Sequence, residues 1–316
     1  MTVTTTAMRQ KDFAALITLA ALWGASFLLI RIAVPVFGPI ALMAARVAVS
    51  AVLLGIGLRI TGRRPTGLRA QVRHLLVLGA VNAALPFTLV AYSELHLDAS
   101  LAAVLIATSP LFSALLSARA GTERLDRRRI AGLLLGVIGV GVLVGWSPMA
   151  LTATTILSIA ATLAAAASYA YAGEYTARHL KSLPAPTIAF GQQLGAAAWL
   201  VGPALVNLPV AAHIPTSALL ALFGLSALCT CAAYVLYFHL IAQIGPMRTN
   251  SVTYLIPPFG IIWGTLFLGE PMTPQMLAGL GLILGSVLLV NTVRLRLPRL
   301  MCGWRALSGS RGSAVA

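Results

Sequence analysis

Apolar residues run through this chain in blocks of about 18–23, too long for soluble core helices and matched to a hydrocarbon core of about 30 Å at 1.5 Å per residue. The blocks predict ten membrane-spanning helices, near 13–34, 39–59, 74–93, 99–118, 129–145, 152–175, 185–206, 216–239, 247–268 and 273–293. Strand-length alternation, as in a closed barrel, is missing, and an open sheet cannot satisfy its edge in lipid.

Composition agrees: 59% of the 316 residues are apolar and 9% charged, against roughly 25% charged in soluble domains, and the mean hydropathy is +0.92. Arg9 and Lys11 precede the first block as they would in a secretory signal. That block exceeds the 7–15 apolar residues of a cleavable signal, so it reads as retained.

The net charge of +15 is segregated. Arg59, Arg63, Arg64, Arg69 and Arg73 follow the second block, Arg124 and Arg127–Arg129 precede the fifth, and Arg178, Lys181 and Arg248 recur at later even turns. Odd turns carry no Lys or Arg apart from Arg31 at the end of the first block. The positive-inside rule then places both termini in the cytoplasm after ten crossings. The basic face is expected to meet anionic lipid headgroups, with no nucleic-acid partner. Cys229, Cys231 and Cys302 offer neither a disulfide framework nor zinc spacing, so no metal or cofactor is expected.

The second half repeats the first. Pro257 lies 147 residues after Pro110, and Glu270 lies 147 after Glu123. The same shift carries Ala131-Gly132 onto Ala278-Gly279, Arg31 onto Arg178, Pro39 onto Pro186, and Asp126 onto Thr273, both helix N-cap types. Five spans per copy would make the copies enter the membrane from opposite sides, as in secondary transporters. The expected fold is therefore an all-α membrane protein of ten transmembrane helices, two inverted five-helix repeats around a central cavity. Its parts are a cytoplasmic N-terminus (1–12), a first repeat (13–146), a second (147–293) and a disordered cytoplasmic tail (294–316).

Over about residues 13–293 the chain resembles the EamA-type carriers of the drug/metabolite transporter superfamily. The resemblance is carried by Trp23-Gly24-Ala25-Ser26-Phe27, Pro39 with Arg46, Thr108-Ser109-Pro110, and Gly269-Glu270-Pro271 with Gln275 and Gly279. It implies an inner-membrane carrier with a cavity between the repeats, exporting amino acids or other small metabolites, and a last helix of each half at the periphery.

Candidate residues follow from the cost of polarity inside a membrane. Pro110 and Pro257 each remove a backbone donor mid-span, giving either a ligand-lining bend or a kink absorbed by packing. Arg46 either attracts a substrate carboxylate or pairs with Glu94. Glu174 either pairs with Arg178 four residues on, or joins His239 in ion coupling. Glu123 and Glu270 read as caps of the helices that follow them. Further lining candidates are Trp23, Ser26, Asn82, Thr108, Ser109, Tyr169, Gln192, Gln193, Tyr234, Tyr237, Asn250, Tyr254 and Trp263; some would belong to interfacial aromatic belts. The pairs Gly132/Gly136, Gly191/Gly195 and Gly281/Gly285 permit close helix approach, within the chain or across a homodimer. An intramembrane enzyme or a non-transporting receptor or scaffold is the rival reading, but HExxH, GxSxG and P-loop motifs are all absent.

Overall fold

The computed structural model describes residues 9–62, 64–121, 126–145, 150, 152–207 and 214–290. The Glu123 cap, Cys302 and the basic tail lie outside them. Among the described residues every regular element is helical. In chain order the longer ones are α1 Gln10–Phe37, α2 Pro39–Ile60, α3 Val72–Ser93, α4 Ala99–Arg119, α5 Arg127–Gly145, α6 Ala153–His179, α7 Ala185–Val206, α8 Thr216–Ile244, α9 Val252–Leu268 and α10 Pro274–Val290, with one short helical turn, Pro246–Thr249, just ahead of α9.

Seven of them, α1–α6 and α8, are long and apolar enough to cross a membrane. The 22-residue α7 is diluted by Gln192 and Gln193 at its middle. Helices α9 and α10 have 17 residues each, about 25 Å at 1.5 Å per residue, and fall short of a 30 Å core as described.

The duplication is visible in backbone detail. Helix α3 widens into a π turn at Ala80–Ala84 and α8 at Ala227–Ala232, the two starting 147 residues apart. Packing partners exchange under the same shift. Helix α1 crosses α9 while α6 crosses α4; α3 packs on α6 while α8 packs on α1; and α2–α7, α4–α9 and α5–α10 pack on their own counterparts.

Asp126 and Thr273 cap α5 and α10 as their positions predict: Arg129 N–H donates to Asp126 Oδ1 at 2.8 Å and Met276 N–H to Thr273 Oγ1 at 3.2 Å. Glu270 does something else. Its carboxylate accepts from the backbone N–H of Ala99 (2.8 Å) and Ser100 (2.9 Å) and from the Ser100 hydroxyl, so it caps α4 in the other half. The reason is spatial: Gly264 of α9 leaves Glu270 and Ser100 the room that a Cβ would fill.

The prolines also differ from one another. Helix α4 is interrupted at Ala107–Thr108, and Pro110 sits in the first turn of its second part, where a missing N–H costs nothing. In the second half the interruption falls at Asn250–Ser251, ahead of Pro257, which lies inside α9. There the hydroxyls of Ser251 and Thr253 donate back to the carbonyls of Arg248 and Asn250, at 2.6 and 2.8 Å, and compete with helical bonding.

Glycines set the closest crossings inside the chain. A Cβ on Gly195 would lie 2.6 Å from the Leu75 carbonyl oxygen and 3.1 Å from Leu76 Cα, so α3 and α7 touch backbone to backbone. Gly132, Gly139 and Gly279 bring α5 against the backbone of α10 in the same way, and Gly136 leaves room for the side chains of Leu111 and Ser286, so this glycine seam is used within one chain. Helix packing in lipid rests on such contacts, because lipid tails are as apolar as leucine.

Gly195→Leu should therefore lower the thermal midpoint and the yield of monodisperse protein in size-exclusion chromatography, by the equivalent of ~1–3 kcal/mol or more. Gly141→Ala, where no atom lies within 4 Å of the new Cβ, should leave both unchanged or slightly improved. Equal behaviour of the two variants would contradict the packing described.

Candidate functional site

Between the halves lies a cluster of polar and aromatic side chains supplied by α1, α2, α3, α6, α7 and α8. Its centre is Arg46, 4% exposed, in the middle of α2. Arg46 Nε donates to Thr230 Oγ1 at 3.0 Å, one guanidinium nitrogen lies 3.9 Å from Met43 Sδ, and the group sits 3.9 Å over the centroid of the Phe87 ring. Phe87 in turn meets Tyr169 at 6.4 Å between centroids. Tyr169, Cys229 and Tyr234 also act electrostatically on the guanidinium, and Glu94 does so more weakly. A cation over an aromatic face, removed from water, is held by ring electrostatics as well as by hydrogen bonds.

The two π turns build part of this cluster. The first carries Asn82, whose Nδ2 donates to Gln192 Oε1 at 2.8 Å; the second carries Thr230, the Arg46 partner. Widened turns rotate side chains off the regular helical faces and often occur at functional sites. The neighbouring carbonyls find donors on other helices. Ser168 Oγ donates to the Val81 carbonyl at 2.6 Å, and Ser50 Oγ, 2.6 Å from the Arg46 carbonyl of its own helix, shares its proton with the Ser226 carbonyl at 3.0 Å.

Gln192 also reaches the Tyr234 hydroxyl. Tyr234 and Tyr237 flank Trp23 of α1 at 6.5 and 5.4 Å between centroids, and Tyr237 O–H donates to Asn250 Oδ1 at 2.9 Å. Ser26 faces the Cys229 thiol and has no full hydrogen bond among the described residues. Gln193 is fully buried, and neither end of its amide finds a partner among the described residues.

Nine of the sequence candidates thus gather in this region: Trp23, Ser26, Arg46, Asn82, Tyr169, Gln192, Tyr234, Tyr237 and Asn250. Others sit elsewhere. Thr108, Ser109 and Pro110 mark the break in α4, Pro257 is buried in α9, and Tyr254 packs toward α10. Trp263 Nε1 donates to the Ala21 carbonyl at 3.0 Å and ties α9 to α1.

Two expected pairings are not formed. Arg46 is committed to Thr230 and Phe87 instead of Glu94, because α2 presents it toward the α8 π turn. Glu174 bonds Arg178 at 2.9 Å one turn along the same helix, and no hydrogen bond or ion pair among the described residues joins it to His239, which is exposed. Thr230, Phe87 and Ser50 were not singled out by sequence. A threonine and a phenylalanine in an apolar run carry no signal until the partner helix is in place.

The described residues contain no group of three or more His, Cys, Asp or Glu able to hold a metal ion.

The chain matches the model of the EamA-like transporter family twice, over residues 12–145 and 156–292. It is 27% identical over 288 residues to a "Probable terminal-alkyne amino-acid exporter" of Streptantibioticus cattleyicolor, covering 88% of this chain and 92% of that protein. It is 28% identical over 291 residues to the "Uncharacterized inner membrane transporter YedA" of Escherichia coli K12, covering 88% and 90%. It is also 25% identical over 305 residues to a "Probable amino-acid metabolite efflux pump" of Salmonella typhimurium, covering 92% and 98%. A solved structure described as "Crystal structure of protein" superposes with a TM-score of 0.63 at 19% identity over 90% of this chain and 97% of that one, a likeness of fold alone. With two family matches spanning most of its length, this chain belongs to the EamA-like transporter family and is a membrane transporter.

Proposed function

We propose that this protein is a secondary transporter of the inner membrane that exports amino acids or related small metabolites by alternating access. The observation that carries the reading is the Arg46 cluster. A single buried guanidinium, walled by Phe87, Tyr169, Tyr234 and Trp23 and edged by the amides of Asn82 and Gln192, fits a carboxylate attached to a small apolar or aromatic body. The relatives named as amino-acid exporters and efflux pumps support the same substrate class.

The topology proposed with it has ten crossings, both termini cytoplasmic, and halves 13–146 and 147–293 oppositely oriented. Two contacts support it. The α3–α4 and α9–α10 linkers meet through Glu270 and the α4 amino terminus, and ten crossings put both linkers on the outer face. The start of α3 meets the end of α6, where His74 Nδ1 lies 2.7 Å from the Tyr175 hydroxyl, and ten crossings put both ends on the inner face. Alternating access would then exchange the roles of the two halves around the site.

In proteoliposomes loaded with unlabelled L-amino acids, counterflow of a labelled L-amino-acid mixture should be fast. Arg46→Gln should slow it roughly 10- to 100-fold, the equivalent of ~1.5–3 kcal/mol for a charged hydrogen bond. Thr230→Val, which releases Nε without removing the charge, should raise the half-saturating concentration several-fold with a smaller change in maximal rate. Counterflow untouched by Arg46→Gln would remove the carboxylate site from consideration.

Single cysteines at position 64 and at position 213 test the orientation. An impermeant maleimide applied to intact spheroplasts should label position 213 and spare position 64 until the cells are opened. Labelling of both from the same side would rule out inverted halves.

A further inference from the structure

The linker between α3 and α4 holds an acid that the substrate site does not use. Glu94 is fully buried, and both of its carboxyl oxygens lack a hydrogen-bond partner among the described residues. A charged carboxylate is not left in that state, because it would have given up its hydration with nothing in exchange.

The surrounding charges come from four elements. From α1, Arg31 donates its guanidinium to the backbone carbonyl of Glu94, not to its side chain. From α2, Arg46 acts at longer range while bonded to Thr230. From the α9–α10 linker comes Glu270, 7% exposed, with its oxygens engaged by the two amides and the hydroxyl of Ala99 and Ser100. The linker itself adds Asp98, partly buried, and His96, which is exposed. Three carboxyl groups therefore face two guanidiniums. Glu270 has its oxygens occupied by donors, whereas both oxygens of Glu94 are vacant. Burial, reinforced by the charge of Glu270, pushes the Glu94 carboxyl well above the usual carboxylate range against the opposing pull of Arg31 and Arg46. Asp98 moves the same way for the same first two reasons.

We propose that Glu94 is a proton-binding site of the outer gate, which closes by latching Glu270 onto the amino terminus of α4 and does so over a neutral Glu94. On closure a proton from the outer aqueous phase adds to a Glu94 carboxylate oxygen. On opening the carboxyl returns to water and the same proton is released to that phase. The closed gate thus binds one proton more than the open gate, and rising pH favours opening through the window between the solvated and buried pKa values of Glu94. The proposal rests on the transporter reading above, which supplies the gate and its outer side.

The test uses full-length protein in membranes. Infrared spectra near neutral pH should show the C=O stretch of a protonated carboxylic acid that disappears in Glu94→Gln and persists in Glu270→Gln. In a Cys231→Ser/Cys302→Ser background, the rate at which an impermeant maleimide applied outside labels Cys229 should rise with pH between roughly pH 5 and 8, relative to the same background carrying Glu94→Gln. The ratio should climb by up to about tenfold per pH unit, the limit for a single proton. Glutamine resembles the neutral carboxyl in shape, so Glu94→Gln should fold. A carboxylic band unmoved by Glu94→Gln, or a flat labelling ratio, overturns the proposal. Absence of amino-acid counterflow in a protein that shows both effects would instead remove the substrate reading and leave the proton site standing.

Discussion

Polar groups withdrawn from water in a hydrocarbon layer must find partners in protein, and this constraint shapes every irregular point of the molecule. The two breaks at Ala107–Thr108 and Asn250–Ser251 are answered locally, by Thr108, Ser251 and Thr253 bonding carbonyls three residues back, while other irregular points are answered by a side chain from another helix. Ser168 of α6 meets a carbonyl in the α3 π turn, Ser50 of α2 meets one just ahead of the α8 π turn, and Glu270 holds the free amides of α4. All three contacts join the first half of the chain to the second. The irregularities that make room for a polar site are thus the places where the halves are bound together.

Packing between the remaining surfaces depends on small residues. At the α3–α7 and α5–α10 crossings the backbones approach until a methyl group would collide. Such crossings behave as rigid units, because a close-packed interface has discrete arrangements and little freedom between them. In the alternating-access cycle proposed above, helices paired in this way would move as bodies, and the contacts to break would be the few polar ones at the helix ends. Glu270 on the α4 amino terminus is a contact of that kind: three donors on one carboxylate, at a linker, where opening exchanges protein donors for water.

Much of this was legible in the sequence, and the limits have a physical cause. Hydropathy and loop charge outline the helices because each apolar block acts alone, and a constant 147-residue shift exposes the duplication because every repeated feature reports it. Asp126 and Thr273 were legible as caps because a cap acts three residues away. Glu270 was not, since its partners lie about 170 residues distant in sequence. The π turns were hidden too: AVNAA and ALCTCA are unremarkable apolar stretches, and their shared offset gains meaning only once the backbone is seen to widen at both. Arg46 was found by its rarity, but its companions Thr230 and Phe87 are ordinary residues made special by position.

The burial of the Arg46 guanidinium has a consequence for the transport cycle proposed here. While the site is open to water, Arg46 is hydrated and its empty state is inexpensive. When both gates close, water leaves, and the charge is left with one hydroxyl, a thioether and an aromatic face. A carboxylate bound at that moment neutralises the charge and replaces the lost hydration with a charge-assisted hydrogen bond. The occluded state is then easier to reach loaded than empty, so passage between the two faces is tied to the presence of substrate. A neutral Glu94 at the outer linker, as proposed above, would let the gate close without burying a carboxylate whose two oxygens have no donor among the described residues.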